Sequence, residues 1–202
     1  MNDTLFNGVF AIPVLQKYIP EMDGINKSIL DNLDTFMKNN ENKKPINWCC
    51  DLYVSGIGGN LIEQSIFSKL KEPILNIANE FCDLLKYDNI NFELKIKDSW
   101  LNVYNKGHSQ EVHNHPDSDI SAIYYPCASD EDGMLVLKSP FHDNMRCTPI
   151  LEQNERNLTQ IFIRPVEGVL VIFPSYLLHS VMPNTSEKRV SIALNFILEK
   201  KE

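Results

Sequence analysis

The segment GVLVIFPSYLLHSVMPNTSEKRVSIALNF, residues 168–196, decides the fold. Apolar runs at Val169–Phe173 and Val190–Phe196 flank a shorter stretch around His179. Turn-forming residues separate them, ending in Pro183-Asn184-Thr185-Ser186. The pattern predicts strands over 168–174, 177–182 and 189–198. Working back from there, a two-residue period predicts further strands over 91–96, 99–105, 109–115, 119–126, 133–138 and 157–164, with Gly, Pro, Asn and Asp at the breaks.

Before residue 90 the spacing of apolar residues changes to three and four. Ile25, Ile29, Leu30, Leu33, Phe36 and Met37 predict an amphipathic helix from Met22 to about Asn39, with Asp23 as cap and Lys38-Asn39-Asn40 as stop. A second, longer helix is expected from about Leu61 to Leu85. Its apolar face would be Leu61, Ile62, Ile66, Leu70, Ile74, Ile77, Ala78, Phe81 and Leu85, with Pro73 starting a new turn or kinking it. Between the helices, Tyr53–Asn60 reads as a glycine turn. It only loosely matches a dinucleotide fingerprint, because the third glycine is missing and no parallel strand precedes it. Helices first and many short strands after them predict a mainly β, α+β chain: a sandwich or a jelly-roll, cupin-like barrel backed by the helices. With no internal repeat or low-complexity linker, residues 1–202 read as a single domain. Within it, 1–90 form a helical buttress and 91–202 the β core.

Composition narrows the function. The chain has 202 residues and a net charge of −8, with ten basic against fourteen acidic side chains in residues 1–100. The remainder carries nine against thirteen, so each half contributes −4 and no basic patch forms. Binding along a nucleic-acid backbone is therefore not expected. No apolar run reaches the roughly 20 residues that span a bilayer. The start, MNDTLFNGVF, lacks the basic and apolar regions of a signal peptide, so a membrane role is not expected either. Five cysteines without a C-x-x-C pair (Cys49, Cys50, Cys82, Cys127, Cys147) predict free thiols in a reducing cytosol. The four N-x-S/T sequons then carry no meaning.

The candidate chemistry lies in three histidines and one arginine. His113 and His115 are two apart on a predicted strand and so share a face. His179 comes from a distant strand. Such a set can occupy one face of a metal octahedron and leave the other open. Arg189 and Ser191 share a face of the last strand, and a guanidinium beside a hydroxyl suits a carboxylate. Taken alone, Arg189 reads as a solvated strand residue beside Lys188.

Together these features resemble the 2-oxoglutarate- and Fe(II)-dependent oxygenase superfamily, whose core is a double-stranded β-helix. The matching stretches are Tyr104-Asn105-Lys106-Gly107, His113-Asn114-His115-Pro116, Ile123-Tyr124-Tyr125-Pro126 and residues 168–196. More narrowly, Ser99-Trp100-Leu101-Asn102-Val103 and the runs around His113 and His179 resemble a little-characterised group of oxygenases from bacteria and marine phages, prolyl-hydroxylase-like in context. The resemblance covers about residues 95–198. It implies Fe(II) held by His113, His115 and His179, with 2-oxoglutarate as co-substrate. Arg189 and Ser191 would hold the distal carboxylate of 2-oxoglutarate, with Tyr125, Tyr104, Asn102 and Asn195 as further co-substrate residues.

Aligning the Tyr104–Gly107 turn places His115 where the family usually has Asp or Glu. A second register reads His115-Pro116-Asp117 as the family motif, which makes Asp117 the alternative ligand to His113 or His115. The six-residue step from Gly107 to His113 favours the first. His108 is a candidate for the pocket mouth, and the loop 139–156, with His142, for a substrate lid. Asp130-Glu131-Asp132-Gly133 reads as a turn.

The reaction implied is hydroxylation by dioxygen of an unidentified organic, peptide or protein substrate, with release of succinate and CO2. It would take place in the cytoplasm of a bacterial cell or phage-infected host, with a homodimer as a candidate assembly. Two other readings stay open: a cupin-type metalloenzyme with a three-histidine centre that ignores 2-oxoglutarate, and a non-enzymatic jelly-roll binding or accessory module.

Overall fold

The switch from helical to two-residue periodicity is reproduced in the structure, a computed structural model that describes residues 10–141, 149–154 and 156–201. Helix α1 is Asp23–Asn39 and α2 is Lys71–Leu84. The strands are β1 (Leu15–Tyr18), β2 (Tyr53–Val54), β3 (Phe92–Asn105), β4 (Gln110–His113), β5 (Ile120–Cys127), β6 (Leu135–Lys138), β7 (Gln160–Ile163), β8 (Val169–Pro174), β9 (His179–Val181) and β10 (Lys188–Lys200). A six-stranded sheet runs in the order β1-β8-β5-β10-β3-β2, and a four-stranded sheet in the order β4-β9-β6-β7. All named strand pairs are antiparallel. The two facing sheets make the expected jelly-roll, with the helices on the outer face of the larger one.

Strand alternation sorts the large sheet into two faces. Val190, Ile192, Leu194 and Phe196 of β10, Ile120, Ala122 and Tyr124 of β5, and Leu170 and Ile172 of β8 form one buried cluster. It also takes in Ile29, Leu33 and Phe36 of α1 and Ile74, Ile77, Ala78 and Phe81 of α2. The other face looks across to the small sheet. There Tyr125, Val171 and Phe173 pack with Leu135, Leu137 and Ile163.

Several local expectations are corrected. The helix expected over 61–85 is two short 3-10 turns, Leu61–Glu63 and Ser68–Leu70, followed by α2. Pro73 falls in the first turn of α2, where a missing N–H costs nothing. Asp23 does not cap α1: Met22 holds that position, and a 3-10 turn over Pro20–Met22 leads straight into the helix. Strands 91–96 and 99–105 are one strand. Pairing with β10 jumps from Asp98↔Asn195 to Ile96↔Phe196, so Lys97 is an inserted bulge residue. Tyr53–Val54, expected as part of a turn, is edge strand β2, while Ile57-Gly58 does turn. The strand β1, unforeseen because its four residues are mostly exposed, pairs with β8. The candidate lid includes residues 142–148 and 155, and these, with His142 and Cys147, lie outside the described residues. Among the described residues no helix is long and apolar enough to cross a membrane.

Candidate metal and oxo-acid site

His113 ends β4 and lies directly opposite His179, which begins β9. A bulge between Gln110 and His113 shifts the register of β4 and aims His113 into the barrel. His115 is not on the strand with His113, as the spacing suggested. It sits two residues beyond the end of β4, where its backbone N–H donates to the Ser175 carbonyl at 3.0 Å. The three rings still converge: one potential ligand atom from each lies within 4.8 Å of the others. Ring centroids are 4.2 Å apart for His113 and His179, and 5.2 Å for His115 with either neighbour. Asp117 is exposed and outside this cluster.

Two of the imidazoles have their tautomer set by the chain. His113 Nδ1 faces the Glu111 carbonyl at 2.8 Å, and His179 Nδ1 faces the Leu177 carbonyl at 2.9 Å. A carbonyl only accepts, so each Nδ1 carries the proton and each Nε2 keeps its lone pair, the form that binds a metal. Gln110 Nε2 makes only a long contact, 3.4 Å, with His113 Nε2. Burial holds all three rings neutral. It lowers His113, and takes His115 to about 4 and His179 to about 3, with the neighbouring imidazoles reinforcing the latter two. A metal ion therefore meets deprotonated ligands at neutral pH. Trp48 lies against His113, Trp100 against His115 and Phe173 against His179, at centroid distances of 6.0, 5.7 and 4.9 Å.

Arg189 corrects the solvated reading outright, being 1% exposed. Its guanidinium carbon stacks 3.8 Å from the centroid of Tyr104, its register partner on β3, and its Nη1 donates to the Gly133 carbonyl at 2.7 Å. Its Nε is buried with no partner. A buried cation with an unused donor is costly unless an anion completes it. Ser191, Asn102, Tyr104 and Tyr125 line the same cavity as Arg189 and the three histidines. Burial pushes Tyr125 up to about 12 and raises Tyr104 as well, so both phenols stay protonated donors. Tyr104 already donates, to Gln110 Oε1 at 2.7 Å.

Asn195 also lines the cavity, but its amide is engaged. Nδ2 donates to Asp98 and Oδ1 accepts from the Ser121 hydroxyl, both at 2.8 Å. Ser121 in turn meets Ser175 at 2.8 Å. Asn195 therefore belongs to an internal polar chain. The bulge at Lys97 turns Asp98 inward to anchor that chain. His108 does not line the cavity; its Nδ1 accepts from the Asn105 N–H within the turn.

Sequence reasoning passed over Trp100, Gln110, Ser121 and Phe173, which all line the cavity. Trp100 could have been found, since it alternates with Asn102 and Tyr104 on one strand, as Ser121 does with Tyr125. Gln110 carried no signal, because the β4 bulge breaks the alternation.

The class is a jelly-roll whose cavity brings together three convergent imidazoles, able to hold a metal ion, and a buried arginine. Residues 98–195 match the family described as "Putative 2OG-Fe(II) oxygenase". The chain has the fold of a prolyl-4-hydroxylase from Pseudomonas putida, with a TM-score of 0.61, 14% identity, and coverage of 95% of this chain and 94% of that one. A prolyl hydroxylase from Trichoplax adhaerens, in complex with a hypoxia inducible factor peptide fragment, matches with a TM-score of 0.61 and 15% identity over 91% and 83%. HygX from Streptomyces hygroscopicus, bound to nickel, 2-oxoglutarate and hygromycin B, matches with a TM-score of 0.58 and 16% identity over 92% and 82%. No curated protein matches the sequence. The family match bears out the resemblance of the β core to 2-oxoglutarate/Fe(II) oxygenases, and the fold is the one that the prolyl hydroxylases share.

Proposed function

We propose that this chain is a 2-oxoglutarate- and Fe(II)-dependent dioxygenase that hydroxylates a peptide or other organic substrate. One observation carries the reading: the three imidazoles share a cavity with a fully buried arginine whose Nε lacks a partner. The residues fit both groups. His113, His115 and His179 would hold Fe(II), and Arg189 with Ser191 would hold the distal carboxylate of 2-oxoglutarate, with Tyr125 as a further donor. When bound, the iron and 2-oxoglutarate supply the oxidising chemistry, in which dioxygen is consumed and succinate and CO2 are released.

The chain's own contribution is position and environment. The Glu111 and Leu177 carbonyls keep the Nε2 atoms of His113 and His179 free of protons. Tyr104 holds the guanidinium plane, and Gly133 fixes one of its nitrogens. Trp100, Phe173 and Val181 wall the cavity with apolar surface, which excludes water and strengthens the arginine–carboxylate contact. A peptide substrate is supported by the fold shared with the Trichoplax adhaerens enzyme, which is bound to a peptide fragment.

The test is calorimetric titration of 2-oxoglutarate into anaerobic protein loaded with Mn(II) or Fe(II), followed by a succinate assay in air. Binding at one equivalent and turnover with Fe(II) are expected. Metal-dependent activity indifferent to 2-oxoglutarate would replace this reading with the cupin type. Protein that holds no metal would replace it with a binding module.

A further inference from the structure

Among the described residues, four buried side-chain polar atoms have no hydrogen-bond partner, and three line one cavity: Trp100 Nε1, Asn102 Oδ1 and Arg189 Nε. The Arg189 orphan is accounted for by the carboxylate proposed above. The Trp100 orphan is not. Trp100 is 2% exposed and projects from β3 on the same side as Asn102 and Tyr104, opposite Ala193 of β10. An indole N–H is donor only, and a buried one ordinarily finds an acceptor. An unmet donor in a polar cavity marks a place where an acceptor belongs.

The position of Trp100 says which acceptor. Its ring lies 5.7 Å from that of His115, at the imidazole end of the cavity, whereas Arg189 is stacked on Tyr104 and tied to Gly133. The two orphan donors therefore serve different parts of the same space. An imidazole ligand carries no negative charge, so three of them bring none to a divalent ion. A ligand carboxylate at that end must supply the compensation. A neutral N–H can hold that carboxylate without adding charge, and it has no lone pair with which to compete for the metal.

Resting on the function proposed above, we infer that Trp100 is a ligand-binding residue. Its indole N–H donates to the carboxylate beside the keto group of 2-oxoglutarate, while Arg189 takes the far carboxylate. Trp100 thereby orients the keto-acid end of the ligand at the imidazoles. Asn102, between Trp100 and Tyr104 on β3, leaves its Oδ1 without a partner in the same cavity.

The chain contains only two tryptophans, Trp48 and Trp100, which makes the test direct. Full-length, 15N-labelled protein loaded with diamagnetic Zn(II) is titrated with 2-oxoglutarate. Each indole N–H resonance is assigned by its loss in Trp48→Phe or Trp100→Phe. The Trp100 proton should move downfield on saturation, as a new hydrogen bond requires. Calorimetry should show Trp100→Phe binding 2-oxoglutarate about 10- to 100-fold more weakly, the loss of one hydrogen bond to a charged group. In Arg189→Ala the affinity should drop too, yet the Trp100 resonance should still move once 2-oxoglutarate saturates. If 2-oxoglutarate binds the native protein while the Trp100 resonance stays in place, the role of Trp100 is overturned and the proposed function stands. If it does not bind metal-loaded native protein at all, both fall. The native-protein spectrum decides the matter even if Trp100→Phe does not fold.

Discussion

On β10, Val190, Ile192, Leu194 and Phe196 pack against the helices in a closed apolar core, while Arg189, Ser191, Ala193 and Asn195 line the cavity. The two sets alternate along a single strand. The helix-side face makes few polar demands: the Tyr124 hydroxyl donates to Asn26 of α1 at 2.8 Å and the Tyr53 hydroxyl to the Asn40 carbonyl at 3.1 Å. The cavity face is crowded with polar groups, some satisfied by one another and some waiting for a ligand. One face closes the core and the other carries the proposed site, so substitutions one residue apart should have separable effects.

Predictions test that separation, beginning with the largest effect. His179→Ala should reduce 2-oxoglutarate-dependent succinate formation to background and remove metal binding, measured by metal analysis of the purified protein. Retained turnover would break the assignment. Phe196→Ala, on the helix face, should cost about 3–5 kcal/mol of stability in a denaturant melt, with the 2-oxoglutarate requirement of the surviving folded protein unchanged. Arg189→Ala should do the reverse: metal remains bound, and the 2-oxoglutarate concentration needed for half-maximal turnover rises about 10- to 100-fold. An unchanged requirement would remove Arg189 from the site.

The neutral imidazoles give the cavity face a pH signature. Their pKa values in the folded chain, about 4 for His115 and about 3 for His179, lie below the ordinary 6.5. Between those values the unfolded chain binds more protons, so their contribution is fully present above about pH 6.5 and is lost as the pH falls through the window. The melting temperature of metal-free protein should therefore drop from pH 7 to pH 4.5, and His115→Gln should make that drop shallower. The smallest effect expected is for Tyr124→Phe, about 1 kcal/mol from one buried hydrogen bond, with no change in 2-oxoglutarate affinity. Tyr125→Phe, one residue along and facing the cavity, should weaken 2-oxoglutarate binding instead.

Much of this was legible beforehand because periodicity is a local property. The helix over 22–39 is observed as Asp23–Asn39, and most of the expected strands were found where alternation put them. Errors fell where local pattern competes with backbone irregularity. Apolar spacing through 61–85 suits a helix, but the chain breaks into 3-10 turns before α2, which starts just ahead of Pro73. The strand β2 has only two residues, too few to show a period. The solvated reading of Arg189 failed because nothing nearby in sequence reveals that Tyr104 and Gly133 enclose it.

By itself, then, the sequence determined which residues alternate and hence which could share a face: Arg189 with Ser191 and Asn195, and Trp100 with Asn102 and Tyr104. It also supplied the three histidines and the scarce arginine. Only the tertiary structure decided which of these meet. Closing one sheet against the other brings His179 opposite His113, the β4 bulge re-aims one ligand, and the loop beyond β4 delivers His115. The inserted Lys97 turns Asp98 inward, so Asn195 is occupied there and not free for a ligand. Bulges and strand pairing are set by contacts distant in sequence, and those contacts decide which donors are satisfied and which remain open.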